Sequence, residues 1–430
     1  MKTCIHRKAG NPIDIRIHMK TDSSKENNTH NPIEITEKIF PAMGTINSIR
    51  IPTGRYLKGD TENFGYKDVH PLSGMGPAHC KGKPGFGDIH GTPLFHKGTR
   101  TTGSIPILEE AKCRVLALHE KMDVFSEGSE TSQINRLAGI SPVAVSEDTA
   151  GLIRKSMEFS DLTQGAFDIT AGPLCSLWRK AKKEQHLPTV EEIEKCRKLV
   201  NYKEIRLSGC SPTSLAKADH TTCPGDMLRE MENFGLIRNL IRKNGDISTP
   251  DDQNAQVLLP QKGMQIDLGG IAKGYAADEA ARILLENGCR QFLLDFGGTI
   301  VTRGPASSIG IQDPFSKTGT PLGFLKAQDE AVVTSGSYER YFAIGGQRYH
   351  HILDPRTGMP SDSGLVQVTL VGQDACMLDA LATGIFILGI RKGMPILEKT
   401  GCGAIFVTSQ GDVLVSENLQ EKFQLKKGAS

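Results

Sequence analysis

The chain has 430 residues, 38% of them hydrophobic and 23% charged, ordinary values for globular protein that leave room for up to about three domains. A net charge of +2, one Trp and 6% aromatic residues supply neither a basic nor a base-stacking surface, so no nucleic acid partner is expected. No stretch approaches the roughly 18 apolar residues of a membrane span.

Residues 1–33 are polar and irregular and are expected to be disordered or loosely attached. A main domain is expected over 34–420, with a polar C-terminal tail over 421–430. From Ile35 to Ile51 the pattern suggests a strand pair around PAMGT. Residues 53–104 are rich in Gly, Pro and His and lack apolar periodicity; they far exceed the about 12–15 residues of a usual structureless loop and read as an insertion. Leu108, Ala111, Val115, Leu118 and Met122 share one helical face, predicting a helix over Ile107–Met122. Further helices are predicted over Asp148–Thr163 and Thr189–Leu199, the last with Pro188, Glu191 and Glu192 at its start. Residues 209–256 read as a second irregular insertion. Short strands then alternate with helices to about Asn418, among them VLLP, FLLDFGG, AVVTSG, VQVTLVG and GAIFVTS, and the expected class is α+β.

Four stretches carry chemistry. IDLGGIAKGYAADEA, from Ile266 to Ala280, runs strand, glycine turn, helix start, the order that brings backbone N–H groups and a positive helix end to a phosphate. Asp267 and Lys273 add one charge of each sign. A tight turn with an exposed lysine is the alternative, and the spacing fails the Walker A pattern because the lysine precedes its glycine. In QDACMLDALATGIFILG, from Gln373 to Gly389, apolar residues mark a largely buried helix on which Asp379 and Thr383 lie one turn apart on one face. A buried carboxylate needs a partner: a hard cation such as Mg²⁺, or a loop hydrogen bond with Thr383 bonding back to the carbonyl of Asp379.

AVVTSGSYERYFAIGGQRYHHILDPRTGMP, from Ala331 to Pro360, reads as strand, turn and strand, followed by a His-His pair and a turn. Adjacent histidines in a strand face opposite ways, so at most one serves a given site as base or phosphate partner. In QGAFDITAGPLCSLW, from Gln164 to Trp178, Asp168 could cap a turn or accept from a ligand's ring N–H.

These pieces resemble, in order, the FAD:protein FMN transferase (ApbE) family: PAMGT at 41–45, S-E-x-S-x-x-N at Ser129 to Asn135, AFDITAGPL at 166–174, IDLGGIAKGYAAD at 266–278, then VVTSGSYERYF, HILDPRTGMP and LDALATGIFILG. The resemblance covers most of the chain outside residues 1–33 and the two insertions. It implies a two-lobed α+β fold of mixed and antiparallel sheets with packed helices and an active site between the lobes. It also implies transfer of FMN from FAD to a Ser or Thr of an acceptor protein, with AMP released and Mg²⁺ required. The implied cation ligands are Asp379, Thr383 and the backbone carbonyl of Gly270. Implied FAD contacts are Met43, Phe125, Ala166, Phe167, Asp168, Asp267 and Lys273, with Lys273 meeting phosphate or ribose. His351 matches the family's histidine and is expected to contact the flavin and to deprotonate the acceptor hydroxyl; Asp379 is the second residue expected in catalysis. An FAD pyrophosphatase and a non-catalytic flavin-binding protein are the competing readings.

The chain departs from the family's pattern in places. Asp123 stands where a serine is usual after the methionine at 122. Many relatives are exported lipoproteins, whereas the basic N-terminus here lacks an apolar signal core and Cys4 lacks the preceding hydrophobic run. With ten scattered cysteines and no C-x-x-C pair, a cytoplasmic setting is expected. No acceptor signature is evident, which favours modification in trans. His70, His79, Cys80, His90 and His96 in the first insertion, and Cys210, His220 and Cys223 in the second, match no standard zinc spacing.

Overall fold

The computed structural model describes residues 13–18, 34–53, 104–209 and 255–426. Apart from their ends, the two expected insertions lie outside the described residues. Part of the stretch expected to be irregular is strand β1, Ile13–His18, antiparallel to β2, Glu34–Ala42. The alternation IDIRIH, apolar at every second position, is its sequence origin. At the other end β17, Phe423–Leu425, pairs with β10, Pro321–Ala327, and buries Phe423, so the expected tail begins as part of a sheet.

The main sheet runs in the order β1, β2, β3 (Thr45–Thr53), β7 (Phe292–Asp295), β8 (Thr299–Arg303), β11 (Ala331–Gly336), β14 (Leu365–Gly372), β15 (Gly403–Thr408) and β16 (Val413–Val415), and every ladder in it is antiparallel. Successive side chains point to opposite faces. Val333, Leu370 and Phe406 enter the main core under the helices, while Val332, Val371 and Ile405 enter a second core on the other face. Both faces are covered, which explains the near-continuous apolar runs of these strands.

Three helices make the layer that matters for function. In α1, Ser104–Met122, the predicted stripe from Leu108 to Met122 is buried, each such large side chain contributing roughly 1.5–3 kcal/mol. It packs on α6, Ala272–Glu286, which packs on α7, Ala375–Leu388. Arg114 of α1 holds Asp148, the second residue of α3 (Glu147–Leu162), through Nη1 at 2.8 Å, and it reaches Glu279 of α6 as well. Lys121 and Arg114 hold the Asp148 carboxyl well below the usual range against the opposing effect of burial.

A third core joins α4 (Gly172–Glu184) and α5 (Val190–Arg197) to the small hairpin of β12 (Tyr341–Ile344) and β13 (Gln347–His350). Trp178 stacks on Tyr349, ring centroids 5.6 Å apart, lies 6.2 Å from Phe342, and donates its indole N–H to the Gly358 carbonyl at 2.8 Å. The hairpin therefore rests on α4.

Candidate active site

The glycine turn is clamped before it reaches α6. Asn135, on α2 (Glu130–Arg136), donates to the Ile266 carbonyl at 2.9 Å and accepts from the Ile266 N–H at 2.7 Å. The Asp267 N–H donates to the Ile169 carbonyl, and Gly172 lies so close to Gln265 that a methyl group on it would stand 2.6 Å from the carbonyl oxygen. The S-E-x-S-x-x-N and AFDITAGPL stretches thus brace the turn that follows them by about a hundred residues.

At the junction of α6 and α7, Lys273 Nζ lies 3.0 and 3.2 Å from the two oxygens of Asp379, and the Gly274 N–H donates to Asp379 Oδ2 at 3.0 Å. The Asp379 side chain is 4% exposed, so the lysine is its counter-charge in a nearly dry site. Thr383 makes the back-bond to the Asp379 carbonyl, at 3.3 Å, and its hydroxyl is 3.5 Å from Ser335 Oγ of β11. Gly270 closes the group: a methyl on it would stand 3.3 Å from the Phe167 ring and 3.7 Å from Thr383 Oγ1. Carboxylate, hydroxyl and the carbonyl of a glycine are all-oxygen donors of the sort Mg²⁺ takes, and a side chain at 270 would fill the space between Phe167 and the Thr383 hydroxyl. The residues present fit a hard cation. Among the described residues no group of three or more His, Cys, Asp or Glu forms another such site; the His and Cys residues of the insertions lie outside those residues.

Two further groups flank this junction. Phe125, 72% exposed, lies under the Arg179 guanidinium, 4.9 Å from the ring centroid. The same guanidinium pairs with Asp267 Oδ2 at 3.2 Å, while Asp267 Oδ1 accepts from the Gly269 N–H at 2.9 Å. Arg179 and Asp267 are 88 residues apart, yet one turn of chain and one helix join them into a single shelf. The second group lies at the open ends of the β12–β13 hairpin. The Arg340 carbonyl accepts from the His351 N–H and lies 3.1 Å from its Nδ1, and Arg340 Nη2 donates to the Gly44 carbonyl at 3.1 Å.

That contact explains PAMGT. Met43 and Gly44 form the two-residue turn between β2 and β3 with φ of +54° and +72°, the left-handed backbone that a type I′ hairpin requires. Met43 packs at the edge of the main core beside this contact. His351 is an exposed residue, although protein crowds its ring on the inner side. This desolvation, followed by the Arg340 charge, pulls its pKa down to about 4. Lys273 acts in the same direction on His351 and holds down the otherwise raised pKa of Glu339, so the hairpin and the helix junction share one field.

The remaining expected contacts are placed differently. Ala166 and Phe167 are buried in the main core, so only their backbone is on offer to a ligand. Asp168 is a turn cap: Oδ1 accepts from the Thr170 N–H and hydroxyl at 2.7 and 2.6 Å, and Oδ2 from the Tyr202 N–H at 3.2 Å. Burial raises its pKa despite these bonds. Sequence reasoning assigned no role to Arg179, Ser335, Glu339, Arg340 or Asn135. Ser335, Glu339 and Arg340 sit inside a stretch already singled out, and their charged or hydroxyl ends beside a strand terminus were the available signal. Arg179 carried none.

Fold and site together define an α+β enzyme whose charged groups meet where a glycine turn, two helix starts and a hairpin come together. The ApbE family model matches residues 97–406, and the chain belongs to that family. It is 33% identical over 296 residues to an FAD:protein FMN transferase of Klebsiella pneumoniae, covering 69% of this chain and 80% of that one. An FAD:protein FMN transferase of Escherichia coli is 27% identical over 354 residues, covering 77% and 89%. Among solved structures, the ApbE protein of Thermotoga maritima superposes with a TM-score of 0.61 at 27% identity, covering 90% of this chain and 99% of that one.

Proposed function

We propose that the chain transfers FMN from FAD to a Ser or Thr hydroxyl of an acceptor protein, releasing AMP, with Mg²⁺ required. The observation that carries this reading is the grouping of Asp379 with its counter-charge Lys273, one helix turn from Thr383, whose hydroxyl faces Gly270 of the glycine turn. The family and its named transferases supply the substrate class.

In this mechanism His351 holds the reacting proton. A carbonyl only accepts, so the contact with Arg340 fixes the proton of the neutral ring on Nδ1 and the lone pair on Nε2. Nε2 takes the acceptor's hydroxyl proton as that oxygen bonds to the FMN phosphorus. The bond from phosphorus to the oxygen bridging to the AMP phosphate breaks, and AMP leaves with the electron pair. Lys273 meets negative charge on the pyrophosphate, while Asp267, Phe125 and the backbone at Ala166 and Phe167 orient FAD. Asp379, Thr383 and Gly270 would hold Mg²⁺, which supplies Lewis acidity and charge neutralisation at the pyrophosphate. No helix among the described residues is long and apolar enough to cross a membrane. A cytoplasmic setting is part of the proposal, supported by the unpaired thiols of Cys113, Cys175, Cys196, Cys289, Cys376 and Cys402.

The test is incubation with FAD, Mg²⁺ and a candidate acceptor, following AMP and fluorescent covalent flavin on a denaturing gel. AMP together with labelled acceptor supports transfer. AMP with free FMN alone replaces it with hydrolysis, and no product replaces it with flavin binding.

A further inference from the structure

We propose that Asp278 is a positioning residue for the metal-and-phosphate site, acting as one half of a reciprocal clamp between α6 and α7. The proposal rests on the reading of Asp379 and Thr383 as cation ligands. Asp278 lies on α6, one turn beyond Gly274, and touches neither of them. Its Oδ1 accepts from the Ala375 N–H at 3.1 Å and its Oδ2 from the Cys376 N–H at 2.8 Å, the first two amides of α7. Those amides have no partner within their own helix. In the opposite direction, Asp379 of α7 accepts from the Gly274 N–H of α6 at 3.0 Å. Each helix thus grips the backbone of the other with an aspartate side chain.

Between the two grips the backbones touch. A methyl on Gly274 would stand 2.1 Å from the Ala375 carbonyl oxygen, so the helices approach as closely there as a glycine allows. This closeness sets the 3.0 Å separation of Lys273 from Asp379, because the two residues sit immediately beside the contact. A sliding of α7 along α6 by a fraction of a turn would carry Asp379 and Thr383 away from Gly270 and Lys273 together. The hydrogen bonds of Asp278 oppose that sliding. Asp374, the N-cap of α7, makes a different contribution: it accepts from Met377 of its own helix at 2.7 Å and does not tie α7 to α6.

The contrast between the two acids makes the test. Both cap α7, so a role confined to helix stability would make Asp278→Ala and Asp374→Ala behave alike. Positioning predicts that only Asp278→Ala weakens binding of Mn²⁺, the probe ion, measured by electron paramagnetic resonance on the full chain with FAD. About 10- to 100-fold is expected, with kcat falling and KM for FAD little changed. Asp278→Asn, which keeps one acceptor oxygen, should fall between wild type and Asp278→Ala and serves as the readable variant if the alanine protein does not fold. Equal Mn²⁺ affinity and kcat in folded Asp278→Asn and wild type would overturn the proposal, as would equal weakening by Asp374→Ala. Absence of turnover in the wild type would count against the transferase reading alone, since the Mn²⁺ comparison does not depend on product formation.

Discussion

The main-chain carbonyl of Arg340 lies 3.1 Å from Nδ1 of His351, and this one contact settles which nitrogen of the imidazole can act as a base. With the pKa drawn down to about 4, the ring is neutral across the physiological range. The rate of flavin transfer is therefore expected to hold level as pH falls from 7 and to break near pH 4, well below the about 6.5 of an ordinary histidine. His351→Ala should lower the rate about 10²- to 10⁴-fold and remove that break. A profile breaking near 6.5, or a variant with full activity, would remove His351 from the base role.

The same shift has a consequence for stability. The folded pKa lies below the unfolded one, so between about 6.5 and about 4 the unfolded chain binds more protons than the folded chain. Stability contributed here is present above that window and is lost as pH falls through it. Denaturant midpoints measured at pH 7 and pH 4.5 should differ more for wild type than for His351→Ala.

Gly274→Ala is expected to be severe for a residue that changes by one methyl group. The new carbon would meet the Ala375 carbonyl at 2.1 Å, and backbone cannot rotate aside as a side chain can. A loss of about 2–3 kcal/mol is expected from overpacking, read by urea unfolding. A variant as stable as wild type would mean that α6 and α7 separate readily.

Arg179→Ala should act on FAD and leave the fold alone. The guanidinium is partly exposed, and its pair with Asp267 contributes little to folding, within about 1 kcal/mol. It does fix the Asp267 carboxylate and cover one face of Phe125. KM for FAD is expected to rise about 3- to 10-fold with kcat nearly constant, the loss of one cation–π contact and one ion pair. An unchanged KM would show that the shelf does not meet the ligand.

Chelation should stop turnover without unfolding the protein. Lys273 already balances Asp379, so no bare buried carboxylate remains when the cation is withdrawn. A melting temperature within a degree or two with and without EDTA is the expected result. Asp379→Asn should abolish Mg²⁺ dependence together with activity.

Much of this organisation was written in local pattern. The predicted helices over Ile107–Met122, Asp148–Thr163 and Thr189–Leu199 correspond to Ser104–Met122, Glu147–Leu162 and Val190–Arg197, because each has one apolar face and a recognisable start. That Asp379 and Thr383 share one turn of a largely buried helix was legible for the same reason. Residues joined only by folding were not. Arg179 meets Asp267 across 88 residues and Asp278 meets Cys376 across 98, and neither position differs locally from any charged helix surface. Helix α8, Ile390–Thr400, was hidden by Pro395 within it, and the strand Ile13–His18 by the polar residues around it. Asp168, which could cap a turn or meet a ligand, caps the turn through Thr170 and Tyr202.

The stack of Trp178 on Tyr349 reaches further than packing. A two-stranded hairpin is marginal by itself, so the placement of His351 at its end is underwritten by aromatic rings on the far side. Trp178 is also the only tryptophan in the chain. Indole emission therefore comes from a single position, against the hairpin that leads into His351. The protein contains its own optical reporter, and a shift of the hairpin as flavin or acceptor arrives can be timed in solution without attaching a label.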